Sequence, residues 1–140
     1  MLICLSSICL NHPNELDIML TNNKLKAFVS TTQPDKAREF YEGKLGLKLL
    51  SEDSFGMEFE ASGAHLRISI VEKLIPQPFT VLGWDTDDII SAISMLKEKG
   101  ITFERFTFID QDAEDIWTAP GGTRVAWFKD PDGNILSISD

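Results

Sequence analysis

The chain repeats its own plan. A helix pattern closes at Gly46-Leu47 and a second closes at Gly100-Ile101, 54 residues later. Within those helices Ala37 corresponds to Ala92, 55 residues on. Around the first helix, alternating "KLKAFVST" predicts a strand over 24–31, and further strands are predicted at about 47–51, 55–60 and 65–71. Around the second, "FTVLGWDT" predicts a strand over 79–85, followed after the helix by strands at about 102–107, 113–118, 123–129 and 134–139. The recurring order, rather than identity between the halves, identifies a duplicated strand-helix-strand-strand-strand unit, split near Pro76–Pro78.

Each helix carries its own start and stop. In "TQPDKAREFYEGKLG", Thr32 with Asp35 resembles a capping box and Pro34 suits the first turn. Ala37, Phe40, Tyr41 and Leu45 form its apolar stripe. In "DDIISAISMLKEKG", Asp87 and Asp88 stand at the positive end of the helix dipole, and Lys97 and Lys99 at the negative end. Ile89, Ala92, Ile93 and Leu96 are its inward face. Neither unit can hide a helix face and a sheet face alone. Pairing them gives an α+β domain in which two tandem βαβββ modules, 24–75 and 79–140, form a curved mixed sheet with helices on the convex face. The concave face is then free to hold a ligand.

Residues 1–23 lie before this pattern and are read as an N-terminal extension, with Met19 as an alternative natural start. Their apolar run of about ten residues is shorter than the roughly 20 needed to span a bilayer, and no basic residue precedes it. Cytoplasmic location is the resulting expectation. Cys4 and Cys9 lack the spacing of a disulfide framework or zinc site. The net charge of −9, with no basic cluster, argues against nucleic acid and anionic membranes as partners.

Three stretches in this order, "AREFYEGKLGLKL", "DDIISAISMLKEKGITF" and "FKDPDGNILSI", resemble the vicinal oxygen chelate superfamily, which includes glyoxalase I, bleomycin resistance proteins, extradiol dioxygenases and fosfomycin resistance proteins. The resemblance covers residues 24–140 and implies the paired βαβββ fold, often assembled as a dimer. It also implies where metal-using members keep their ligands: fifteen residues before the Tyr of "FY", at the equivalent strand of the second half, and seven residues past the first Asp of "DPDGN". Those places hold Lys26, Val81 and Ser137. A divalent cation needs imidazole or carboxylate groups together. An ammonium, an isopropyl group and a lone hydroxyl do not supply them, so no metal and no cofactor are expected.

Other residues offer little replacement. His12 lies in the extension, and His65 opens "HLRISIV" as an edge or surface residue. Glu58 and Glu60 alternate with Met57, Phe59 and Ala61 and form the available acid/base pair. No Ser/His/Asp or Cys/His set occurs at a usable place, and "APGGT" lacks the lysine and helix of a phosphate loop.

Under the resemblance, the face that carries position 137 also carries Val125, Trp127, Lys26, Phe28, Val81 and Gly83. Trp117 falls where fosfomycin resistance proteins often line their cavity. The opposite face carries Leu82, Trp84, Phe128, Leu136 and Ile138, which suit packing under the helices. The candidate ligand-binding residues are therefore Lys26, Phe28, Val81, Trp117, Trp127 and Ser137, with aromatic faces suited to a flat or apolar small molecule. Arg124 is either an anion-binding residue or a surface ion-pair partner. The expected function is metal-free sequestration of a small molecule by a homodimer. The alternative is a lyase or isomerase of glyoxalase type that uses Glu58 or Glu60.

Overall fold

The structure is a computed structural model that describes residues 13–140. Cys4, Cys9 and His12 lie outside the described residues, as does the first half of the extension. Helix α1 (Glu15–Ile18) and a 3-10 turn (Leu20–Asn22) precede the first module and bury no residue. The first module is β1 (Lys26–Thr31), α2 (Pro34–Arg38) continued as a π-helical turn (Glu39–Lys44), β2 (Lys48–Asp53), β3 (Gly56–Ala61) and β4 (Ala64–Ile70). The second is β5 (Thr80–Asp85), α3 (Ile89–Glu98), β6 (Trp117–Thr118), β7 (Arg124–Lys129) and β8 (Ile135–Ser139).

The expected mixed sheet is present as two four-stranded halves with the same permuted order, β1-β4-β3-β2 and β5-β8-β7-β6. In each, the first strand pairs parallel with the last, Lys26 opposite His65 and Gly83 opposite Ser137, and the remaining pairs are antiparallel. Gly46 and Gly100 end the two helices at φ +73° and +87°, a left-handed conformation that glycine reaches without a Cβ clash. The duplication read from the sequence is thus a duplication of topology.

One core serves both modules. Ala37, Phe40 and Tyr41 from the first helix, and Ile89, Ile93 and Leu96 from α3, join Val29, Phe59, Ile68, Phe128, Leu136 and Ile138 from both sheets. Burying each large apolar side chain contributes about 1.5–3 kcal/mol. Trp84 packs against this cluster from its edge, on the helix side of its sheet. Among the described residues, no helix is long and apolar enough to cross a membrane.

The "DPDGN" turn locks the two halves together. Asp130 is buried, and its carboxylate accepts from the Tyr41 hydroxyl at 2.7 Å, from Asn134 Nδ2 at 2.8 Å, and from the amides of Asp132 and Asn134, each at 3.0 Å. Asn134 Nδ2 also donates to the Ser30 carbonyl at 3.0 Å. The Thr32 amide and hydroxyl donate to Asp132 at 2.8 and 2.7 Å, and the Thr31 hydroxyl donates to the same carboxylate. The expected Thr32/Asp35 capping box therefore does not form, because Asp132, 100 residues away, takes the Thr32 donors. The helix also departs from a plain α-helix. Its last turn widens, with Leu45 N donating to Phe40 O, and this turns both Phe40 and Tyr41 inward.

Two expected strands of the second half are largely absent. Strand 102–107 is reduced to a single bridge between Phe103 and Phe128, and strand 113–118 to Trp117–Thr118. A side chain replaces the ladder. Gln111 is buried, accepts from Phe106 N at 2.7 Å, and donates to Glu104 O at 3.0 Å and Asp115 O at 2.8 Å. Arg105 adds bonds to Asp112 O at 2.6 Å and Asp115 at 3.0 Å. Backbone groups that a strand would have paired are satisfied locally, and the segment folds into an ordered loop instead.

Candidate functional site

That loop forms one wall of a cavity of about 630 Å³. It contributes Phe106, Phe108 and Ile109. The floor comes from the second sheet, as Trp117 on β6, Trp127 and Lys129 on β7, and Ile135 on β8. Strand alternation puts Trp127 and Lys129 on one face, and the register sets Trp117 opposite Val125 on the neighbouring strand. The third wall is the linker between modules, Pro76 to Phe79, running into Thr80. Pro76 closes onto the "DPDGN" turn at Gly133, where a Cβ would stand 3.3 Å from the proline ring.

The rings form a continuous aromatic surface. Trp117 and Trp127 have centroids 6.1 Å apart, tilted by 36°. Phe106 meets Trp127 edge-on at 5.5 Å and stacks with Phe108 at 5.4 Å. Trp127 Nε1 donates to Thr80 Oγ1 at 2.9 Å, which fixes the indole and satisfies its polar atom. Lys129 Nζ lies 3.9 Å from Glu104, too far for a hydrogen bond. The volume, the apolar lining and the few polar groups match those of small-molecule sites.

Of the six residues singled out in the sequence, Trp117 and Trp127 meet in this cavity. Val81 sits in the irregularity between Thr80 and Leu82, beside the cavity wall. Ser137 is the register partner of Trp127, and its hydroxyl fills the space over Gly83, 2.5 Å from where a Cβ there would stand. Lys26 and Phe28 are on β1, in the other sheet, with Phe28 66% exposed. The linker and the loop residues Phe106, Phe108 and Ile109 were missed, because alternation in "ITFERFTF" reads as a strand. Lys129, two residues past Trp127, was legible by the same parity.

The first sheet presents a charged face instead. Lys26 pairs with Glu58, and Arg67, opposite Glu58 in the register, lies 3.3 Å from Asp53. The hydrogen bond from Lys26, aided by its charge and by Arg67, holds the Glu58 carboxyl below its ordinary range against the opposing effect of burial. Such a carboxylate is a weakened base. Neither Glu58 nor Glu60 lines the aromatic cavity. Arg124 makes a two-pronged ion pair with Asp140, so its guanidinium is engaged at the C-terminus of the chain.

Metal-using proteins with this fold pattern set a direct test for the residues present. The Lys26 ammonium is already paired, Val81 has no donor atom, and the Ser137 hydroxyl is set over Gly83. Among the described residues, no three His, Cys, Asp or Glu side chains converge. This donor set does not fit a divalent cation.

Comparison with solved structures gives the same fold. A glyoxalase/bleomycin resistance protein/dioxygenase from Alicyclobacillus acidocaldarius superposes with a TM-score of 0.65 at 19% identity, covering 84% of this chain and 90% of that one. A glyoxalase family protein from Enterococcus faecalis gives 0.61 at 22% identity, covering 84% and 94%. A lactoylglutathione lyase from Agrobacterium tumefaciens gives 0.64 at 14% identity, covering 82% and 90%. No curated protein matches the chain. The sequence profile of the Glyoxalase/Bleomycin resistance protein/Dioxygenase superfamily matches residues 24–138, and with the paired modules and the interlocked "FY" and "DPDGN" motifs this places the chain in that superfamily.

Proposed function

We propose that this protein binds a small organic molecule in the aromatic cavity of its second module and holds it without a metal and without transforming it. The observation that carries this reading is the lining itself. Among the described residues it offers aromatic and aliphatic surface, the Gln77 amide, a threonine hydroxyl already engaged by Trp127, and one lysine, with no carboxylate, histidine or cysteine to move a proton or attack a bond. The lyase alternative needs an acid/base pair near the ligand, and its candidates, Glu58 and Glu60, are on the other sheet.

The reading extends to a cytoplasmic homodimer. Leu25 and Phe28 leave large apolar surface exposed on the first module, and a pair of modules leaves sheet edges that need cover. Trp117 and Trp127 provide the assay. Titration with planar organic compounds should quench their fluorescence to saturation, and the Trp127→Ala variant should lose most of the response. Recovery of a chemically altered compound after incubation would overturn sequestration in favour of catalysis.

A further inference from the structure

We propose that the aromatic cavity selects planar molecules carrying a single negative charge, and that Lys129 reads that charge. The inference rests on the cavity being a binding site, and it names the class of ligand. The chain carries 22 Asp and Glu against 13 Lys and Arg, yet none of those carboxylates lines this cavity. Among the described residues, its one ionisable lining group is Lys129. A site that merely sampled the surface of such an acidic protein would show the opposite balance.

Geometry puts the ammonium where it can act on a stacked ligand. Lys129 follows Trp127 by two residues on β7, so its stem rises from the face that carries the indole. Its register partner is Ile135, also of the lining, so the stem runs beside apolar surface. Glu104 forms a loose ion pair with it at 3.9 Å, outside hydrogen-bond reach, and is not part of the lining. The ammonium therefore keeps donors for an incoming anion.

Aromatic faces alone would favour cations. Lys129 opposes that preference by like-charge repulsion inside the same cavity and rewards an anion. A charge-assisted hydrogen bond in a partly desolvated site corresponds to roughly tenfold or more in affinity. Trp117 and Trp127 supply the stacking surface, and the volume of about 630 Å³ admits a molecule of two or three rings.

The test uses two probes with one ring skeleton, 8-anilinonaphthalene-1-sulfonate, which is anionic, and N-phenyl-1-naphthylamine, which is neutral. Each is titrated by fluorescence into the wild-type chain and into Lys129→Gln, Lys129→Arg and Trp127→Ala, all checked for folding by circular dichroism. The expected result is about tenfold tighter binding of the sulfonate by the wild type, a preference kept by Lys129→Arg and erased by Lys129→Gln, and weaker binding of both probes by Trp127→Ala. Equal binding of the two probes by the wild type, or a preference that survives Lys129→Gln, overturns the selection of anions while leaving the cavity a binding site. Binding of neither probe overturns both.

Discussion

Tyr41→Phe removes one oxygen atom from the lock between the two modules. The ring is fully buried and phenylalanine fills the same space, so no cavity opens and the loss is that of the hydrogen bond alone. That bond runs 2.7 Å to the buried Asp130 carboxylate. Hydrogen bonds to charged groups contribute about 1.5–3 kcal/mol. Asp130 keeps its donors from Asn134 and Asp132, so the expected loss is about 2 kcal/mol. For a domain of this size that corresponds to a thermal midpoint lower by roughly 6–10 °C. Urea unfolding should show a lower midpoint with an unchanged m-value, because the exposed surface is the same. A double-mutant cycle with Asp130→Asn should give a coupling of about 1 kcal/mol or more. A Tyr41→Phe variant within about 0.5 kcal/mol of the wild type would refute the view that this contact ties the modules.

Gln111→Ala should cost about 2–3 kcal/mol by leaving three backbone groups without partners, and should weaken probe binding in the cavity by loosening the loop that carries Phe106 and Phe108; titration and thermal melts check both. Gly56→Ala should fail to fold or lose more than about 4 kcal/mol, since its Cβ would stand 2.1 Å from the Ile68 carbonyl oxygen, as soluble yield and unfolding curves will show. Stability should hold from about pH 7 to 5 and fall as the pH drops below about 4. Asp132 is pushed up by burial but pulled further down by its bonds from Thr31 and Thr32, and Asp88 and Asp140 are held down by Ser91 and Arg124 respectively. A depressed carboxyl stabilises the fold above its unfolded pKa and loses that contribution as the pH falls through its folded one. Asp130, raised by burial, has the opposite sign and is outnumbered, and Asp132→Asn should flatten the acid limb of a melting-temperature profile. Sedimentation at tens of micromolar should give a dimer, and a concentration-independent mass near 15.7 kDa would rule that out.

What was legible in the sequence was local. The dipole-matched ends and apolar stripe of α3 could be read from "DDIISAISMLKEKG", and Asp88 does cap that helix by accepting from Ser91 N at 3.0 Å. Strand parity read within the family resemblance placed Phe128, Leu136 and Ile138 under the helices and Trp127 on the opposite face, while Trp117 was pointed to by the resemblance alone. What escaped was long-range or exchanged one partner for another. Nothing near Thr32 announces that its donors go to Asp132 across the chain, and nothing in "ITFERFTF" shows that Gln111 will take the bonds of a strand. The cavity was read by half for the same reason. Its floor follows from strand parity, whereas its loop and linker walls depend on tertiary contacts such as Pro76 against Gly133.

Native mass spectrometry of the purified full chain, before and after chelation and with Trp127→Ala alongside, tests most directly whether an organic molecule rather than a metal occupies this fold. Sequestration predicts an organic adduct, one per chain, that survives chelation, is released unaltered on denaturation, and is absent from Trp127→Ala. A mass increment of about one divalent metal per chain, removed by the chelator together with turnover of a small substrate, would contradict it.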